Sequence, residues 1–342
     1  AQNIKNPETQ QTKAITGLKA GGFLALTGTP VENRLRELWS IFQILLPGYF
    51  GTLKEFNDSY GIPIEKYNRE DVTQRLQKAV APFILRRMKT DESIVPDLPA
   101  KIVEEEYCTL TKEQAALYQG VIDEMLARIE ETEGINRRGL VLKLLTSLKQ
   151  ICNHPMQYTK QGSAKGKHSG KSLRTLELIQ NFWDNKEKVL LFTQYREMAS
   201  ILESLIRDEL ALEPLVFHGG LNRAQREDIV NQFKGSSHHP VLIISLRAGG
   251  TGLNLTEATG VIHYDLWWNP AVENQATDRA YRIGQWKAVT VKRLITLGTF
   301  EEKINDMLSE KQKMADLILT KETALSELSN QQLRELLSLS LG

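Results

Sequence analysis

The sequence predicts an α/β protein built on a doubly wound, mostly parallel sheet, preceded by a long helical stretch and followed by a helical tail. Three observations predict it. Short, uninterrupted apolar runs such as Val189-Leu190-Leu191-Phe192 and Val241-Leu242-Ile243-Ile244 are what strands buried on both faces require. These runs alternate with helix-length segments of 3.6-residue periodicity, the mark of βαβ units. The chain has 342 residues, 41% hydrophobic and 25% charged, which is enough apolar material for two cored domains.

From the start, Asn6-Pro7 predicts a turn, followed by a short helix to Gly17 and a strand over Phe23-Leu24-Ala25-Leu26, as in the middle of an α/β unit. Leu35, Leu38, Ile41, Phe42 and Leu45 recur at helical spacing, and Pro47-Gly48 stops that helix. A further helical stretch ends near Ile84, and Pro96-Asp97-Leu98-Pro99 is a rigid break. Lys112 to Glu133 and Arg138 to Cys152 read as amphipathic helices, so the chain after its first strand is expected to be mostly helical up to about residue 160. Five strands follow, at 189–192, 215–217, 241–244, 261–264 and 289–292, with helices over Arg196 to Leu210 and Arg223 to Phe233. A complete doubly wound domain over about 170 to 298 is the result. From Glu301 the chain is helical, and Leu325, Leu328, Leu333, Leu336 and Leu337 form a stripe expected to pack against the domain it follows.

Several classes are set aside by composition. No apolar run approaches the ~20 residues of a membrane span, and no signal-peptide layout opens the chain. Cys108 and Cys152 are far apart in helix-like sequence, as in a reduced intracellular protein. Cys152-Asn153-His154 lacks a second ligand pair and is read as structural, with no metal site. Net charge is +1, so bulk charge announces no nucleic-acid partner. Lys160, Lys165, Lys167, Lys171 and Arg174 read as a solvated linker, and Arg86, Arg87 and Lys89 as a solvated helix end.

Gly170-Lys171-Ser172 ends like a phosphate-binding P-loop, but Lys165 stands where the first glycine should be, and the lead-in is polar. Ser172 is read instead as a helix N-cap, and no other segment offers a P-loop. The segment from Ser245 to Asn254 follows a buried strand, where open α/β sheets place ligand loops. Its Gly249, Gly250 and Gly252 suit either an anion-binding nest or a tight turn. Gln275 to Gln285 reads as a helix that ends at Gly284, with Gln275, Arg279 and Arg282 at i, i+4 and i+7 on one face. That stripe suits bidentate contact with phosphate oxygens. Pairing of Asp278 with Arg282 on a solvent face fits the spacing equally well. Thr27-Gly28-Thr29-Pro30 is either a hydroxyl relay beside a nucleotide or a turn with Thr29 as a cap. Trp267-Trp268-Asn269-Pro270 offers a stacking surface or an edge filler.

In their order, these segments resemble the helicase-like ATPases of superfamily two. Ile4-Lys5-Asn6-Pro7, Leu26 to Pro30 with Glu32-Asn33, Phe83-Ile84-Leu85-Arg86-Arg87, Asp97-Leu98-Pro99 and Ile151 to Pro155 are similar to segments of the Swi/Snf double-stranded DNA translocases. So are Phe192-Thr193-Gln194, Ala248 to Leu255, Trp268-Asn269-Pro270 and Asp278 to Gln285. The resemblance implies two RecA-like lobes with ATP and Mg2+ in the cleft between them and duplex DNA across both. It places the P-loop and an acidic pair upstream of Ala1-Gln2, so that residues 1–30 are the end of lobe one. Residues 31–165 would then be helical protrusions and linker, 166–300 the RecA-like second lobe, and 301–342 bracing helices.

The same resemblance makes Arg279 and Arg282 arginine fingers toward the γ-phosphate, oriented by Gln275, and shifts the balance away from solvent-face pairing. Gly250 and Gly252 would join nucleotide state to DNA grip, and Thr27 and Thr29 would link the two sites from lobe one. Thr193, Gln194, His218, Gly219, Arg247 and Trp268 would line the DNA side. A monomeric, DNA-stimulated ATPase remodelling protein–DNA complexes follows, nucleoid-associated in a prokaryote or nuclear in a eukaryote, with these 342 residues inactive alone. A non-catalytic DNA-binding or docking module, and a strand-separating helicase, are the rival expectations.

Overall fold

The computed structural model describes residues 1–27, 31, 34–67, 69–85, 98–245, 253–312, 325 and 328–340. It contains two compact units, residues 1–94 with 315–321, and residues 95–314 with 322–342.

The first unit is helical: α1 (Gln10–Thr16), α2 (Arg36–Leu45), α3 (Leu53–Phe56), a π-helical turn (Asn57–Gly61), α4 (Ile62–Glu65) and α5 (Glu70–Val80). Thr9 caps α1 by accepting the amide of Thr12, and α2 stops as Gly48 takes φ +81°. Leu35, Leu38, Phe42, Phe56, Ile64, Val72 and Leu76 form its core. The strand expected at 23–26 does not form. Those residues join no ladder, and Leu24 and Leu26 are exposed. Among the described residues the unit has no other strand to pair with, and a lone strand leaves its backbone groups to water.

The second unit is organised on a six-stranded, all-parallel sheet in the order β1-β6-β5-β2-β4-β3. The strands are β1 (Lys101–Cys108), β2 (Lys188–Thr193), β3 (Leu215–Phe217), β4 (Val241–Ser245), β5 (Ala258–His263) and β6 (Val289–Thr296). Helices α6 (Lys112–Glu130), α7 (Gly134–Asn153), α8 (Pro155–Thr159), α9 (Gly170–Asp184), α10 (Arg196–Leu210) and α11 (Arg223–Gly235) accompany them. So do α12 (Pro270–Thr277), α13 (Phe300–Gln312) and α14 (Asn330–Leu337). Alternation along β2 sends Leu191 to one face with Ile179, Leu202 and Ile206 of α9 and α10. Leu190 and Phe192 go to the other, with Phe233 of α11 and Ala276 of α12.

Strand β1 lies where a helical stretch was expected. Glu104-Glu105-Glu106 is poor strand sequence, but parallel pairing sets Glu104 opposite Lys292 and Glu105 opposite Arg293. Arg293 binds Glu105 at 2.8 Å, and Lys292 pairs with both Glu104 and Glu106. The leucine stripe is buried, with its contacts mainly on the α6–α7 hairpin. Leu333, Leu336 and Leu337 join Tyr118, Ile122, Leu144 and Leu148 in one core, closed by Phe300 and Ile304 of α13.

Candidate active site

Sheet topology gathers the chemistry-bearing residues at the carboxyl ends of β2, β3 and β5 and on the turn after α12. Asn269 caps α12 through Ala271 N, and Pro270 fits its first turn. The helix ends at Thr277, seven residues before Gly284. The Thr277 carbonyl accepts both Ala280 N and Tyr281 N at 3.0 Å, in the turns that follow the helix. Its hydroxyl meets Nε2 of buried His263 at 2.9 Å. Gly284, at φ +99°, then finishes the turn.

This corrects the expectation that Gln275, Arg279 and Arg282 share one helical face. Gln275 is exposed on α12, whereas Arg279 is 7% exposed and Arg282 lies open to solvent. Burial, and then the Arg282 charge, hold the Arg279 guanidinium below its ordinary pKa. The turn is fastened to residues 253–258. Leu255 N donates to Arg279 O at 3.0 Å, and Arg282 reaches toward Leu253 O at 3.5 Å.

At the ends of β2 and β5, Thr193 is fully buried and donates to Asp265 Oδ2 at 2.5 Å. The other Asp265 oxygen accepts Gln194 N at 2.8 Å. Gln194 Nε2 and Lys149 Nζ both donate to Leu266 O, at 2.8 and 2.5 Å. The same ammonium stands 4.6 Å from the Trp268 ring centroid. Burial raises the Asp265 carboxyl, opposed by the Lys149 charge. Half-buried His218 accepts Gly220 N through Nδ1 at 3.1 Å, and Gly219 is exposed beside it. Burial, then Arg196 and Arg226, lower the His218 pKa, so a positive corner stands at the end of β3.

Thr27 is exposed coil in the first unit. Thr29, Arg247, Gly250 and Gly252 lie outside the described residues. Among the described residues no group of three or more His, Cys, Asp or Glu is arranged to hold a metal ion. Lys171 points inward, ion-paired to Glu301 at 2.7 Å with no exposed side-chain surface, so it is not a phosphate-loop lysine. The cap of α9 is Ser169, three residues before the Ser172 expected in that place. Ser169 accepts Ser172 N, while the Ser172 hydroxyl meets that of Tyr264 at 2.9 Å.

Residues 1–157 match the SNF2-related domain, and residues 171–284 match the helicase conserved C-terminal domain. A Sulfolobus solfataricus SWI2/SNF2 ATPase core, solved in complex with double-stranded DNA, is 41% identical over 99% of this chain and 72% of that chain, with a TM-score of 0.65. The chain belongs to the SWI2/SNF2 family of helicase-like ATPases. The C-terminal domain of the Sulfolobus enzyme matches at 38% identity over 70% of this chain and all of that one, with a TM-score of 0.62. YwqA of Bacillus subtilis strain 168, described as a putative ATP-dependent helicase/translocase, is 46% identical over 99% of this chain. The chain spans about a third of the length of the curated relatives it matches.

For a SWI2/SNF2 ATPase the cofactor question is which described groups suit a nucleotide phosphate. Arg282 does, being cationic and open to solvent. Arg279 fits less well in its present seat. Sequence reasoning passed over four residues that shape this region. Glu273 is buried, accepts Trp267 N at 2.7 Å and binds Arg293 at 3.0 Å. Lys149 and Asp265 fix the Trp268 segment, and His263 holds Thr277. Only Asp265, directly after a buried strand, carried a readable signal.

Proposed function

We propose that this chain is part of an ATPase motor, stimulated by duplex DNA, that translocates on double-stranded DNA and remodels protein–DNA complexes. Residues 1–30 belong to lobe one, 31–165 to helical protrusions and linker except for β1, whose Lys101–Cys108 joins the sheet of the RecA-like lobe two at 166–300, and 301–342 to bracing helices. The reading is carried by exposed Arg282, held on a turn whose backbone is hydrogen-bonded to the exit of the glycine loop.

ATP with Mg2+ supplies the γ-phosphoryl group whose transfer to water drives the motor. Arg282 offsets the charge that spreads over that group in the transition state. Arg279 joins it only if its side chain leaves the buried seat, with Gln275 orienting the pair. Trp268, Gln194, His218 and Gly219 lie toward the duplex, held by backbone and phosphate contacts that carry no sequence preference. Thr193 acts from behind, by fixing Asp265. The protein works as a monomer inside the cell, and the 342 residues alone, with no P-loop sequence, neither bind ATP tightly nor hydrolyse it.

The test is ATP turnover by the full-length protein without DNA, with single-stranded DNA and with duplex DNA. Strong stimulation by duplex alone supports the reading. Equal stimulation by single strands would favour a strand-separating helicase, and no turnover in any condition would reduce the chain to a binding module.

A further inference from the structure

Gln285 carries no role in the reading above, yet its side chain has one of the most complete sets of polar contacts in the second unit. It is 4% exposed. Nε2 donates to Thr256 O and Ala258 O, both at 3.0 Å, and to Ala280 O at 3.3 Å. Oε1 accepts Trp286 N and Lys287 N, both at 3.0 Å. The amide has one workable orientation, since a flip would set Oε1 against three carbonyl oxygens.

The partners lie on both sides of a seam. Thr256 and Ala258 lead out of the glycine loop into β5, whereas Ala280 stands between Arg279 and Arg282. Two further contacts cross here among the described residues, Leu255 N to Arg279 O and the long Arg282 reach to Leu253 O. We propose that Gln285 is a positioning residue that locks the arginine turn to the exit of the glycine loop, so that the two move as one body during the ATPase cycle. This rests on the motor reading given above. A buried amide suits the task. It fixes direction through several hydrogen bonds while adding no charge beside two guanidiniums.

Two variants of the full-length protein test it. Gln285→Met keeps length and apolar stem but loses every donor and acceptor. Gln285→Glu keeps the shape and turns a carboxylate toward three carbonyls. In hydrogen exchange without nucleotide, the amides of 253–258 and 279–287 are expected to exchange about tenfold faster in the Met variant. Those of Leu190–Phe192 and Leu242–Ile244 should stay unchanged. The ratio of duplex-stimulated to basal ATP turnover should fall about tenfold, further in the Glu variant, with the KM for ATP little altered.

Faster exchange across the whole sheet with an unchanged stimulation ratio would show a merely structural role and overturn the proposal. So would a Glu variant as active as the parent. If the parent protein itself shows no duplex stimulation, the motor reading fails and the coupling falls with it. A loss confined to the variants concerns Gln285 alone.

Discussion

Arg279 and Arg282 stand three positions apart and meet opposite surroundings, one folded under and one facing water. Arg282→Ala is expected to lower stimulated ATP turnover by ~10³ or more with duplex affinity nearly kept, read by steady-state kinetics and a DNA-binding titration. A variant that hydrolyses ATP normally would remove Arg282 from the site. The residue types were legible in the sequence, because a run of one amide and two guanidiniums has no use in an apolar core. Their surroundings were not. Helical spacing continues to Gly284, but the helix ends at Thr277, whose hydroxyl meets His263, and the turn is held by Gln285, partners distant or unmarked in sequence. His263 also carries a pH consequence. Burial, then Arg293, push its pKa down to about 3, so the folded protein keeps it neutral. Once pH drops below about 6.5 the unfolded chain takes up a proton that the native one refuses, and stability falls by up to about 1.4 kcal/mol per pH unit. His154 and His218 are shifted in the same direction. Urea denaturation of His263→Gln between pH 7 and 5 should therefore show a shallower loss than the parent, but not a flat one. An identical slope would mean that His263 titrates freely.

Among the elements, α9 and α13 are joined by the buried Lys171–Glu301 pair, and Glu301 also accepts Thr296 N at 3.1 Å. Lys171→Met leaves a carboxylate buried without its cation and is expected to cost about 3–5 kcal/mol in chemical denaturation. Adding Glu301→Leu should recover much of that, whereas additive losses would show that the pair does not act as a unit. Gly170→Ala should be severe as well, because a Cβ there would lie 1.9 Å from the Thr109 carbonyl oxygen. Periodicity gave α6, α7, α10 and α11, and the apolar runs gave β2 to β6, since burial on both faces leaves its trace in composition. Strand β1 was hidden because, among the described residues, its three glutamates meet their cations on β6 and α9, far along the chain. The absent strand at 23–26 is the reverse case, a sequence suited to a sheet with no neighbour among the described residues to complete it.

For the whole molecule, the division into units predicts that the second, residues 95–314 with 322–342, folds as one cooperative body, to be tested on a piece spanning 95–342. Circular dichroism and tryptophan fluorescence should report coincident urea transitions for that piece. Two separated transitions would show that the helices around α6 and α7 are not integral to the sheet. The place of β1 in the sheet has a consequence for synthesis. Its partner β6 is 188 positions later in the chain, Lys101 lying opposite Val289. At a synthesis rate of ~5–20 residues per second, β1 leaves the ribosome roughly 10–40 s before the strand it needs. In that interval the backbone edge that β6 will pair is open to other nascent chains. Birth order and spatial order are thus opposed, and the first strand of this sheet to be made is expected to be the last of the sheet protected when refolding is followed by pulsed hydrogen exchange.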